Sequence, residues 1–335
     1  MAGEKGNIAK MARIHALELF DVFGWKLVGS EEKNWDCVTP AHKNEKDKEK
    51  RTHSTDIVFS YDDPYEPKRV YVNTDLKSYA AGTITKAKLK KEMRSLAQTT
   101  ECCLKSDGWQ KLYQSEEHNS KVVGLLYIFN HDSKFEENFN DFFDSVRANH
   151  IKLSKGSRIV VFGPQLISYL ASVANDIHLS GSRHKFDYKE CSFYYPELIR
   201  AKTHSDHLNA ATIEMLNGPW QILRHPPTRG ETVGGYYIYY SGLGNTTDEF
   251  KYIIDYIFRY QLLREPGTIV IKTVFGCGEA SSNFDKARTA YAEDFYGFED
   301  YGRKEFEQRV QRITFKSVQK VITSFSDTEI GMSHA

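Results

Sequence analysis

Three residues in this chain have the types and spacing to do chemistry together: Asp56, Asp75 and Lys77. Asp75 and Lys77 stand two apart in Val-Tyr-Val-Asn-Thr-Asp-Leu-Lys-Ser-Tyr, so on a strand their side chains leave the same face. Asp56 opens Ile57-Val58-Phe59, a second apolar run rich in β-formers. Between the runs lie Asp62, Asp63, Pro64 and Pro67, which are turn formers. A hairpin there would bring the two carboxylates together with the ammonium beside them. Paired carboxylates hold hard divalent cations through oxygen, and a neighbouring lysine can orient a water or neutralise charge on a phosphate.

The elements that must position this trio follow in order. A helical stretch around Ala16-Leu17-Glu18-Leu19-Phe20 precedes Phe23-Gly24-Trp25, with Ile14, Leu17 and Val22 on its apolar positions. Strands at Asn34–Val38, at Ile57 and at Val70 come next, then a helix from Lys86 to Leu104 and a strand from Lys121 to Phe129. Helix, three strands, helix, strand, with Asp and then Asp-x-Lys on consecutive strands, resembles the PD-(D/E)xK, restriction-endonuclease-like nuclease superfamily over roughly the first 130 residues. The resemblance implies a mixed sheet flanked by helices, hydrolysis of phosphodiester bonds and a Mg2+ or Mn2+ ion. It also implies further site residues: Glu18 on the first helix, the main-chain carbonyl of Leu76 as a metal ligand, and Gln98 on the following helix. Where one subfamily carries Tyr four residues beyond that Gln, this chain has Cys102. Asp36 is a rival carboxylate on the first strand, or a plain strand-end residue.

Each of these residues has a bland reading too. Asp75 and Lys77 could be an exposed ion pair, which contributes little. Glu18 could face solvent. The chain has 45 Lys+Arg and 45 Asp+Glu, so no global field draws it to nucleic acid and any binding surface must be local. Lys86, Lys88, Lys90, Lys91 and Arg94 form such a candidate phosphate surface beside the motif strand. The mixed-sign run from Lys43 to Arg51 reads as a solvated loop, with His42 and His53 as surface residues flanking it. His204 and His207 share a helix-like spacing but lack a second pair. Five cysteines without a CxxC pair favour reduced thiols over a disulfide framework or zinc ribbon, and so a cytoplasmic protein. The N-terminal residues show no signal peptide, and no run nears the roughly 20 apolar residues of a spanning helix.

With 335 residues, the chain has room for two domains. Phe135, Phe139, Phe142, Phe143 and Val146 recur at helical spacing, and Arg158–Phe162 and Leu166–Ile177 read as a strand and a helix. These extend the first domain to about residue 180, where Ser180-Gly181-Ser182 marks a break. Residues 181–335 form a second α/β domain for substrate, partner or regulatory binding. There, Tyr236–Tyr240, a Gly-x-Gly loop, the helix Asp248–Leu263 and the strand Thr268–Phe275 predict a right-handed crossover with parallel pairing. The aromatic strand could stack bases or fill a core. Gly242 and Gly244 lack the partners of a nucleotide fingerprint and read as a turn capped by Asn245 or Thr247; no independent catalytic centre is expected there. The favoured function is a Mg2+-dependent nuclease acting on DNA, of the kind used in prokaryotic restriction or antiphage defence, with a partner subunit or a second copy helping to hold the DNA, and no membrane association. The alternative is a non-catalytic subunit that keeps the fold to bind nucleic acid or a partner.

Overall fold

The computed structural model describes residues 2–44, 46, 48–114, 119–147, 157–198, 203, 205–228, 230–264, 266–296 and 303–321. The chain divides into two compact units after Ser168, and the second extends to Val321.

In the first unit the elements are α1 (Ala2–Val22), β1 (Lys26–Val28), β2 (Lys33–Asp36), β3 (Thr52–Thr55), β4 (Ile57–Asp62), β5 (Arg69–Tyr79), α2 (Lys86–Cys103), α3 (Asp107–Tyr113), β6 (Ser120–Asn130), α4 (Phe139–Arg147), β7 (Ile159–Phe162) and the start of α5 (Pro164–His184). A five-stranded sheet runs β1-β4-β5-β6-β7. Its first two pairings are antiparallel and its last two parallel, so the sheet is mixed. From Val122 to Asn130 every residue of β6 is buried, the continuous apolar signature of a strand covered on both faces. One face carries α1, with Phe20 against Phe59 and Tyr127 at 5.1 and 5.8 Å between ring centres. The other carries α2: Leu89, Met93 and Leu96 meet Leu126 and Ile128, and Phe139 and Val146 of α4 close that core. Gly124 permits the approach, since a Cβ there would lie 2.2 Å from Thr100 Oγ1 of α2.

Two expectations change here. The sheet's first strand is β1, not Asn34–Val38. β2 instead pairs antiparallel with β3 in a separate two-stranded ribbon. Nor do Ser180-Gly181-Ser182 break the chain: they lie inside α5, whose buried Leu170, Val173, Ala174 and Ile177 hold it helical. The division thus falls within α5 rather than at residue 180.

The second unit contains β8 (Ser192–Tyr194), β9 (His207–Leu208), the short α6 (Ile213–Leu216), β10 (Trp220–His225), β11 (Gly235–Tyr240), α7 (Thr247–Arg259), β12 (Ile269–Thr273), α8 (Ala280–Tyr296), α9 (Arg303–Gln311) and β13 (Ile313–Ser317). Its six-stranded sheet runs β13-β12-β11-β10-β8-β9. β11 and β12 pair in parallel across α7, as the crossover requires. The aromatic strand β11 is interior. Tyr236, Tyr237 and Tyr239 are buried, so its rings fill core and offer no platform for bases. Thr246, not Asn245 or Thr247, caps α7, and Glu249 completes a capping box. The same Glu249 carboxylate accepts from Gly244 N and Thr246 N, taking the donors a phosphate would need. Opposite the α7–α9 face, Lys272 is buried, paired to Asp176 at 2.6 Å, with its ammonium 3.4 Å from the Tyr237 ring centre. Among the described residues no helix is long and apolar enough to cross a membrane.

Candidate active site

The register of β4 on β5 builds the site. Ile57 pairs with Thr74, so Asp56, one residue earlier, stands across from Asp75 with its side chain on the same face. Asp75, Lys77, Leu126 and Ile128 share that face through the β5–β6 ladder, so the carboxylates lie at the α2 side of the sheet. The Asp56 carboxylate accepts a hydrogen bond from Leu76 N at 2.8 Å. Lys77 Nζ donates to Asp75 Oδ1 and lies 3.6 Å from Glu92 Oε2 of α2.

Electrostatics mark the pair. Burial and the adjacent Asp75 charge push the Asp56 carboxyl up from 3.8 to about 6, against the pull of Leu76 N–H and Lys77. Burial alone would lower Lys77, but Asp75, Glu92 and Asp56 outweigh it and hold the ammonium above its usual range. Tyr79, the next residue out on this face, is pushed up to about 12 by burial and by Glu92. Lys88 Nζ sits 4.6 Å from the Tyr79 ring centre. Lys77, Tyr79, Thr85, Lys88 and Glu92 line one shallow cleft.

Of the residues proposed from sequence, Asp56, Asp75, Leu76 and Lys77 come together. Glu18 does not. It is exposed on α1, and α1 packs on the opposite face of the sheet, where His15 and Phe20 meet Tyr127. Gln98 is half-buried on α2 and its side chain makes no hydrogen bond among the described residues; Glu92, six positions earlier, supplies the α2 side chain instead. The sequence reading missed Glu92. Its signal was the spacing: Leu89 and Met93 face the sheet, and Glu92 sits between them on the buried side. Asp36 is exposed at the end of the ribbon and is no rival. Lys86, Lys88, Lys91 and Arg94 are exposed on the first turns of α2, with Lys90 half-buried. They form a basic flank beside the cleft. His42 and His53, read as surface residues, are buried, and His204 lies outside the described residues.

A strand hairpin that presents Asp and Asp-x-Lys to one face of a mixed sheet, with helices on both faces, defines a PD-(D/E)XK nuclease domain. Residues 1–166 match the family model described as GAPS4 protein PD-(D/E)XK nuclease domain, and the N-terminal part of the chain belongs to that family. Comparison with curated proteins and with solved structures found no match.

Proposed function

We propose that the N-terminal unit is a Mg2+- or Mn2+-dependent nuclease that hydrolyses DNA phosphodiester bonds in restriction or antiphage defence. The observation that carries this reading is the carboxylate pair. Asp56 and Asp75 face each other across the β4–β5 pair, and Lys77 alone bridges Asp75 and Glu92, so the group has more negative charge than its own lysine neutralises. Such an oxygen donor set fits a hard divalent cation. Asp56, Asp75 and the carbonyl of Leu76 would hold it, and the ion would supply Lewis acidity and offset charge on the phosphate.

The chain's own groups do the rest. Glu92 and Asp75 fix the Lys77 ammonium where it can orient an attacking water or stabilise charge developing on phosphate oxygens. Lys86, Lys88, Lys90, Lys91 and Arg94, along the first turns of α2, would contact the backbone of a bound strand. The second unit would select substrate, bind a partner or restrain the nuclease. The discriminating experiment is cleavage of plasmid DNA by the purified chain in Mg2+, alone and with the product of a neighbouring gene. Metal-dependent nicking that is lost in Lys77→Ala supports the reading. No cleavage under either condition, with DNA still bound, favours the non-catalytic binding subunit.

A further inference from the structure

The ribbon and the C-terminal end of α2 enclose four potential ligands that the nuclease chemistry does not use. We propose that Cys37, His42, His53 and Cys102 form a structural zinc site that ties the 33–55 ribbon to α2. This inference is independent of whether the domain cuts DNA.

Geometry is the first argument. The four ligand atoms lie within 4.8 Å of one another. Cys37 Sγ is 3.8 Å from Cys102 Sγ, and His42 Nδ1 is 3.5 Å from Cys37 Sγ, 3.4 Å from Cys102 Sγ and 3.4 Å from His53 Nε2. A tetrahedral zinc with Zn–S of about 2.3 Å and Zn–N of about 2.0–2.1 Å has edges of about 3.8 Å for S···S, about 3.5–3.6 Å for S···N and about 3.4 Å for N···N. Each of these four separations matches the corresponding edge within 0.2 Å.

Proton placement is the second. His42 Nε2 lies 3.1 Å from Glu101 Oε2, and Glu101 Oε1 also accepts from Lys105 at 3.1 Å. That carboxylate is an acceptor, so His42 carries its proton on Nε2. His53 Nδ1 lies 3.1 Å from Thr99 Oγ1, whose hydroxyl already donates to Ser95 O at 3.0 Å. His53 therefore donates from Nδ1. In the neutral tautomers that these contacts select, the two nitrogens that face each other across the cluster present lone pairs, with two sulfurs beside them. Outer partners that fix the imidazole tautomer in this way are the usual second layer of a zinc site. Cys102 Sγ–H donates to Thr39 Oγ1 at 3.3 Å; in the zinc-bound thiolate that hydroxyl would donate to the sulfur instead. Four protein ligands, of which His42, His53 and Cys102 are buried, make a closed site, structural rather than catalytic.

The site would clamp the excursion between β2 and β3 at both ends and hold His53 three residues before Asp56. The test is metal content of the full chain purified without chelator, followed by exchange into Co2+. About one zinc per chain is expected, and the cobalt form should show the intense visible bands of a tetrahedral site with thiolate-to-cobalt charge transfer. Cys37→Ser should lose zinc several-fold and weaken that charge transfer, while Cys277→Ser, in the second unit, keeps both. A folded parent that holds no zinc and gives no tetrahedral cobalt spectrum overturns the proposal. So does a parent in which Cys37 and Cys102 are joined as a disulfide, or a Cys37→Ser variant that keeps full zinc content.

Discussion

Asp56→Asn should stabilise the protein while removing its cleavage, and the structure sets the size of the effect. A carboxyl raised from 3.8 to about 6 by burial and by Asp75 carries about 3 kcal/mol against ionisation in the folded state, at 1.36 kcal/mol per pKa unit. Because the folded value lies above the unfolded one, the folded state holds the proton more tightly. The stability it contributes is full below pH 4, falls as pH rises through 6, and is gone at pH 7.5. Asparagine cannot ionise. Its oxygen can still accept from Leu76 N, and its amide faces Asp75 across the strand pair. The pull of Leu76 N–H on the charged form is already contained in that shift, so the net gain at pH 7.5 is about 3 kcal/mol, or about 6–12 °C in Tm for a unit of this size. The assay is thermal unfolding of parent and variant between pH 4 and 8, with EDTA and with Mg2+. The variant's advantage should grow from near zero at pH 4 to its full value by pH 7. Mg2+ should then narrow it, because the ion stabilises only the parent. A Tm difference that is flat across this range would refute the strained carboxylate pair. Undiminished cleavage by Asp56→Asn would refute its place in the chemistry.

Lys77→Ala should cut cleavage by roughly 100-fold or more. It should also cost stability, about 1–3 kcal/mol by urea titration, because it leaves Asp75 and Glu92 facing each other without their shared cation. Glu92→Gln should slow cleavage by roughly 10-fold in single-turnover assays, leaving DNA affinity unchanged, since it loosens the Lys77 ammonium without touching the basic flank. Replacing Lys88 and Lys91 by Gln should lower the salt slope of DNA binding by about 0.9 for each lost phosphate contact. In the second unit, Lys272→Met should destabilise by about 3 kcal/mol, because it strands Asp176 beside buried tyrosines. A change below 1 kcal/mol in chemical denaturation would show that Asp176 finds another partner.

The trio Asp56, Asp75 and Lys77 was legible because its determinants are local. Strand alternation fixes which side of β5 its residues leave, and the turn formers between the runs fix the hairpin. Glu92 was not legible from charge, since among Lys88, Lys90 and Lys91 it looks like an ordinary helix-surface partner. Only the packing of Leu89 and Met93 against Leu126 turns it inward. Glu18 failed for the converse reason. Its helix does flank the sheet, but the buried residues Ala16, Leu19, Phe20 and Phe23 leave position 18 on the solvent side. In α5 the short Ser-Gly-Ser run looked like a break, yet a helix already held by a buried apolar stripe tolerates one glycine at about 1 kcal/mol.

His42 and His53 show the deepest limit. Their neighbours are the most charged in the chain, and composition reads such a stretch as solvated loop. What overrides composition is a long-range meeting with Cys102, 60 residues after His42, which no local pattern encodes. The same meeting bears on the active site. Lys50, on the excursion that the two histidines bracket, reaches Ser95 of α2 at 3.4 Å, and its ammonium feels Asp75 as well as Cys37 and Cys102. The segment that reads as a solvated loop therefore brings a second cation into the field of Asp75 and anchors the strand that leads into Asp56. Loosening that anchor should weaken catalysis through position. Cys37→Ser should slow cleavage and shift its Mg2+ dependence to higher concentration, even though Cys37 touches neither carboxylate. If its cleavage rate and Mg2+ titration match the parent's while zinc is lost, the ribbon and the nuclease centre are mechanically independent.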